Sequence, residues 1–204
     1  MTKSFDRTLL LEAFDAIGTA AVENGVRLEM AVYGGAALML AGNFRFSTED
    51  VDIAELPRPW PLWLSGVCEG IANRNGWSED WLNDAVTFHL SPAATRAADH
   101  LEFGTFPRGG GPPGLIILVP TSEYMLALKL EAMRLLDPVK GQIEADDIYS
   151  PMTLLKIRTP DQAIAVLARY FPNSAKDSDR QRFLLKHLAP SEMARTRDAP
   201  RYDP

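Results

Sequence analysis

The sequence predicts an α+β fold: a small mixed sheet flanked by helices, with a helical C-terminal part. Two apolar runs of strand length carry the sheet, LEMAVY at 28–33 and LIILVP at 115–120. A third strand is read from TEDVDIA at 48–54, where carboxylate and apolar residues alternate with strand periodicity. After residue 120 the periodic stretches have helical spacing. Residues 1–120 are therefore expected to form the α/β core, 121–188 the helical part, and 189–204 a mobile tail with few apolar residues.

In chain order, residues 4–23 read as an amphipathic helix capped by Ser4, with Phe5, Leu9, Ile17 and Ala21 near helical spacing and Asn24-Gly25 as its stop. The 28–33 strand ends at Gly34-Gly35, and a helix of small residues, AALMLAGN, follows directly. Pro57, Pro59 and Pro61 break regular structure after the 48–54 strand. Residues 62–74 form a helix closed by Asn75-Gly76. TFHL at 87–90 and LEFGTF at 101–106 read as strands, and GGGPPG at 109–114 as a loop or hairpin connection. SEYMLALKLEAMRLL at 122–136 is a helix capped by Thr121 or Ser122 and ended by Asp137-Pro138 and Gly141. Thr159-Pro160 opens another, closed by Pro172-Asn173, and a last helix spans 179–188.

With 46% hydrophobic and 24% charged residues, the 204-residue chain has enough apolar side chains for a core, which excludes a disordered or collagen-like protein. Cys68 is the only cysteine, so neither an intramolecular disulfide nor a Cys-based metal site can form. Glu12 and Asp15 interrupt the first apolar run, unlike a signal peptide. No stretch approaches the roughly 18 apolar residues of a membrane span, so a cytoplasmic protein without membrane contact is expected. The net charge of −6 argues against a broad basic surface for non-specific nucleic-acid binding. It leaves room for RNA held as a substrate by a local patch.

Asp50-Val51-Asp52 is the most informative motif. On a strand, residues two apart share a face, so both carboxylates emerge together. Like charges that close repel unless a cation sits between them, and Mg²⁺ suits carboxylate oxygens while keeping sites for phosphate. The plain alternative is a solvated acidic strand edge. Upstream, Gly34-Gly35 joins a strand to a helix, where backbone can approach a ligand and the first helical N–H groups can face an anion. Taken alone, the pair reads first as a tight strand-to-helix turn needing positive φ. The two features together place a phosphate site beside a metal site.

These residues resemble a known family. GGAALMLAGNFRFSTEDVDI is similar to the glycine-pair and T-x-D-h-D-h signature (h, apolar) of polymerase-β-like nucleotidyltransferases, closest to the minimal bacterial group that includes the AbiEii and MenT toxins. EYMLALKLEAMR followed by EADDIY resembles that group's second signature, and DWLNDAV at 80–86 a stretch common in one of its branches. The resemblance covers about residues 30–150 and implies a nucleotidyltransferase-type core. It implies that Gly34 and Gly35 cradle the triphosphate with Thr48 assisting, and that Asp50 and Asp52 bind Mg²⁺. Lys129 would neutralise phosphate charge and Asp147 would be the late acid of the site. The acceptor it implies is a tRNA 3′ end or a protein hydroxyl, and the partner a cognate antitoxin.

Three departures stand out. Glycine replaces the serine many relatives carry at position 35. No basic residue precedes the acids of EADDIY, where Asp146 and Asp147 are hard to separate. No third metal carboxylate is identifiable, Asp84 and Glu102 being candidates. Lys129 has separate support, because Leu126, Leu128, Leu130 and Met133 surround it, although a snorkelling stem explains that too. Arg45 reads first as a surface charge and second as a phosphate contact. His89, His100 and His187 show no metal-ligand spacing, and Ser91 and Ser122 lack a nucleophile elbow. Trp60, Trp63, Trp77 and Trp81 read as packing, with stacking on a base as the minor alternative. Basic residues from Lys176 to Arg201 read as a solvated face that an RNA backbone could also use. The leading expectation is a Mg²⁺-dependent enzyme moving a nucleotide from an NTP to an acceptor hydroxyl. Its rival is a catalytically inactive nucleotide-binding or protein-interaction module on the same fold.

Overall fold

The computed structural model describes residues 3–42, 44–54, 56, 59–133, 140–192 and 194. Two compact units emerge, one from Met1–Phe88 with Leu101–Val119, the other from His89–His100 with Pro120–Tyr202. The elements run β1 (Phe5–Asp6), α1 (Arg7–Glu23), β2 (Leu28–Tyr33), α2 (Gly34–Gly42), β3 (Ser47–Thr48), β4 (Val51–Ala54), α3 (Leu62–Asn75), β5 (Leu82–Asn83) and a 3-10 helix at Ala85–His89. They continue with α4 (Arg96–Asp99), β6 (His100–Phe106), β7 (Leu115–Pro120), α5 (Ser122–Ala132), α6 (Gly141–Leu154), α7 (Pro160–Tyr170), α8 (Pro172–Lys176) and α9 (Asp179–Lys186). The fold is mixed α and β, as the sequence predicts.

The first unit is built on a five-stranded sheet in the order β5-β4-β2-β7-β6. Strand β2 runs antiparallel to β4 and parallel to β7, and β4 runs parallel to β5, so the sheet is mixed. Every residue of β7 is buried, which is why LIILVP is apolar without alternation. Ser4 does not cap the first helix. Phe5 and Asp6 pair antiparallel with Thr48 and Ser47 instead, and the Asp6 carboxylate caps α1 by accepting from Leu9 N at 3.0 Å. Phe5 then packs on Trp77, with ring centres 4.2 Å apart, and Trp77 meets Trp81 edge-on. These two tryptophans are core residues.

Helix α1 lies tightly on the β6–β7 connection. A Cβ on Gly18 would come within 2.6 Å of the carbonyl carbon of Phe106, so only glycine fits where the backbones cross. The 87–90 stretch expected as a strand belongs instead to the 3-10 helix at its start, and the Phe88 side chain is exposed. TFHL has β-forming residues but no strand partner on either side, and propensity alone does not make a strand.

The second unit is helical, with Leu126, Leu130, Ile148, Ile164, Leu167 and Leu184 in its core. Helix α5 is capped by Thr121, and α7 opens with a full capping box of Thr159 and Gln162 around Pro160. Residues 133–136, expected to finish α5, lie outside the described residues from 134 onward. Helix α6 is absent from the sequence-based expectation, which takes Gly141 at its start as the stop of the preceding helix; α6 also accommodates Pro151 inside it. The segment from residue 189 is tied down at its beginning. Ser191 donates through N and Oγ to the Asp146 carboxylate at 2.8 and 2.7 Å, and Ala189 O accepts from Gln142. The rest of the tail, apart from residue 194, lies outside the described residues.

Residues 89–100 join this unit through a buried polar network. Asp99 accepts from Thr95 N and from the Tyr170 hydroxyl, both at 2.7 Å, while Ser91 Oγ donates to Tyr170 O at 2.6 Å. Burial alone would raise the Asp99 carboxyl, but the bonds from Thr95 and Tyr170 and the charge of Arg169 outweigh it and hold the group below its ordinary value. Burial and the Asp99 bond push Tyr170 up to about 12. A lowered carboxyl contributes stability that is complete above the unfolded value of about 3.9 and disappears as pH falls through the folded value. Stability should therefore be insensitive to Asp99 between pH 5 and 7 and fall below about pH 4, with Asp99→Asn removing that acid-sensitive part in urea titrations. Tyr170→Phe should cost about 1–3 kcal/mol at neutral pH by the same measurement.

Candidate functional site

Strand β2 passes into α2 without a loop, because Gly34 adopts φ +63° and turns the chain at once. L-residues with a side chain rarely take that conformation. Space imposes the same choice. A Cβ on residue 34 would lie 2.5 Å from Asp52 Oδ2, so the Asp52 carboxylate rests directly against the turn. The sheet explains the approach, since Tyr33, the residue before the turn, is the cross-strand partner of Asp52.

Gly35 is crowded from the other side. A Cβ there would lie 2.7 Å from Arg45 Cζ and 3.1 Å from Thr48 Oγ1. The Arg45 guanidinium thus sits over the first turn of α2, and the residue the sequence assigns first to the surface belongs to the site. Thr48 is only 3% exposed, and its hydroxyl reaches Asp50 O at 3.1 Å and Asp50 Oδ1 at 3.3 Å. The expected single strand over 48–54 is split. Strand β3 ends at Thr48, β4 begins at Val51, and Asp50 occupies the break. Its carboxylate is exposed, that of Asp52 half-buried. Gly34, Gly35, Thr48, Asp50 and Asp52 are therefore brought together, with Arg45 added.

The donor set fits one hard divalent cation. Two aspartates would supply the oxygens, the threonine hydroxyl reaches one of them, and the missing side chain at residue 34 makes room for the other. The N-terminal N–H groups of α2, which have no carbonyl partner one turn back, suit an anion beside them. Among the described residues no cluster of three or more histidine, cysteine, aspartate or glutamate side chains forms a metal-binding set, so neither Asp84 nor Glu102 completes a triad there.

Lys129 and Asp147 meet in the second unit. Lys129 Nζ donates to Asp147 Oδ2 at 2.7 Å and stands 3.6 Å from Glu144 Oε2. Lys129, Glu144 and Asp147 are 9%, 4% and 1% exposed, so one cation and two carboxylates share a buried contact between α5 and α6. The structure separates Asp146 from Asp147, since Asp146 serves Ser191 instead. Glu144 escaped the sequence reading only because α6 did. Once that helix is drawn, a residue three positions before Asp147 falls on the same face. Cys68 offers no nucleophile, as burial pushes its thiol up to about 12.

Comparison of the chain with protein-family models, with curated proteins and with solved structures found no match. No described helix is long and apolar enough to cross a membrane.

The ion cluster generates a stability prediction. Lys129→Met removes the buried cation that faces Asp147 and Glu144 and should destabilise the protein by about 3–5 kcal/mol. Adding Glu144→Gln and Asp147→Leu to Lys129→Met should recover part of that loss in urea denaturation, because the two carboxylates that faced the lysine are then gone with it.

Proposed function

We propose that the chain is a Mg²⁺-dependent nucleotidyltransferase of the minimal polymerase-β-like kind. It moves a nucleotide from an NTP to an acceptor hydroxyl. The observation that carries this reading is the Asp52 carboxylate seated against the Gly34 turn at the start of α2, with Asp50 and Arg45 beside it. A phosphate chain laid on the turn would meet backbone N–H groups, one guanidinium and two carboxylates within a single small region. That is the set of contacts phosphoryl transfer needs, since the reaction is catalysed chiefly by positioning and charge stabilisation.

In this mechanism Gly34 and Gly35 let the phosphates approach the backbone, and Arg45 neutralises their charge. Asp50 and Asp52 hold the cation, with Thr48 orienting Asp50. Mg²⁺ bound there supplies Lewis-acid stabilisation of the charge on the transferring group. The acceptor oxygen attacks the α-phosphorus, its bond to pyrophosphate breaks, and the acceptor proton leaves to solvent. Lys129 and Asp147 enter only through the family resemblance, as the phosphate-neutralising lysine and the late acid. By that same resemblance the acceptor is a tRNA 3′ end or a protein hydroxyl. The cellular setting is cytoplasmic, and the chain is the toxin of a toxin–antitoxin pair.

A second reading has one observation of its own. With no third metal ligand beside Asp50 and Asp52 among the described residues, the same turn could hold a nucleotide without transferring it. Incubation of the purified protein with Mg²⁺ and each α-labelled NTP, with total RNA and protein as acceptors, separates the two. Transfer of label is expected, and Asp50→Asn with Asp52→Asn should lower it by at least about a hundredfold. Thermal melting of the double variant beside the parent ensures that any loss of transfer is read on folded protein. Nucleotide binding that persists without Mg²⁺ and never yields transfer supports the second reading. No binding of any NTP ends both.

A further inference from the structure

At the free edge of the sheet, next to the phosphate turn, lies a cavity of about 660 Å³ lined by Pro59, Trp60, Ser65, Asp80, Leu82 and Asn83. Its position follows from the register. Asn83 on β5 is the parallel partner of Asp52 on β4, so the cavity wall stands one strand spacing, roughly 4.8 Å, from the metal-binding acid. Its volume lies in the range of small-molecule sites, and its lining mixes an indole and a leucine with a few polar groups, as such sites do.

The Asn83 amide is held in place. Asn83 Oδ1 accepts from Ala85 N at 3.1 Å, and its Nδ2 reaches Asp80 O at 3.5 Å. Asp80 N is in turn bonded to Ser78 Oγ at 3.4 Å. Backbone and amide are thus fixed, and the Asp80 carboxylate forms no hydrogen bond or ion pair among the described residues. Trp60 is half-buried and lines this cavity, unlike the core residues Trp77 and Trp81.

We propose that this cavity seats the base of the nucleotide, with Trp60 as the stacking face and Asp80 as the group that selects bases carrying an exocyclic amine. The inference rests on the nucleotide reading above and extends it to base choice. A carboxylate only accepts hydrogen bonds. Adenine, guanine and cytosine each present an amine that can donate to it. Uracil has no exocyclic amine, and its one donor on that edge, the ring N3–H, stands between two carbonyl oxygens that a carboxylate repels. Indole stacking tolerates any base and adds affinity without selectivity.

The test is calorimetric titration of the full chain, in Mg²⁺, with non-transferable analogues of ATP, GTP, CTP and UTP, and with inorganic tripolyphosphate. Wild-type protein should bind the UTP analogue at least about tenfold more weakly than the CTP analogue. Trp60→Ala should weaken the three amine-bearing analogues by about tenfold or more while leaving tripolyphosphate affinity unchanged, and Trp60→Phe should retain most of the affinity. Asp80→Asn provides a donor and should close the gap between the UTP and CTP analogues. Unchanged tripolyphosphate binding also shows that each variant is folded. Equal binding of the UTP and CTP analogues by the wild type, or no loss in Trp60→Ala, overturns the base site while leaving the phosphate site standing. Failure of the wild type to bind both tripolyphosphate and every analogue overturns the nucleotide reading and the base site with it.

Discussion

The candidate site depends on a contact that exists because a side chain is missing. At residue 34 the backbone has a positive φ and an aspartate oxygen stands where a Cβ would be, so glycine is required twice over. The antiparallel pairing of β2 and β4 makes this unavoidable, because it sets Tyr33 opposite Asp52 and the turn comes one residue later. From that contact follow the helix start beside the acid, the guanidinium of Arg45 over Gly35, and the Thr48 hydroxyl that steadies Asp50. A carboxylate beside a helix N-terminus also complements the partial positive charge at that end of the helix.

The second unit deals with charge in a different way. Lys129 lies among leucines and gains Asp147 as a close partner and Glu144 as a farther one, all nearly inaccessible to water. Two carboxylates and one ammonium held this close are ordered by their charges as well as by the apolar packing around them. The Asp99 network with Tyr170, Thr95 and Ser91 works differently, since hydrogen bonds from neutral donors, joined by the charge of Arg169, carry the carboxylate. Each device ties separate segments of the helical unit together.

Much of this was legible in the residues. The apolar runs at 28–33 and 115–120 became β2 and β7, and Thr159-Pro160 became a capping box, because apolar run length and capping chemistry are local properties. Gly34, Gly35, Thr48, Asp50 and Asp52 could be assembled because strand order in sequence carried them to one place. What stayed hidden depended on partners far along the chain. Phe5 and Asp6 become a strand only because Ser47 and Thr48 are there to pair with them, and 87–90 fails to become one for want of such a partner. Arg45 joins the site through a tertiary approach to Gly35 with no sequence signal of its own. Helix α6 was masked by Gly141, which reads as a helix stop, and Glu144 and the division of labour between Asp146 and Asp147 were masked with it.

The most direct test of the glycine contact is Mn²⁺ binding followed by electron paramagnetic resonance, with and without a non-transferable NTP, in the parent and in Gly34→Ala. The parent should take up Mn²⁺ tightly only with nucleotide present, and the folded Gly34→Ala protein should lose that uptake, because its methyl group displaces the Asp52 oxygen. Undiminished nucleotide-dependent Mn²⁺ binding in Gly34→Ala would contradict the account.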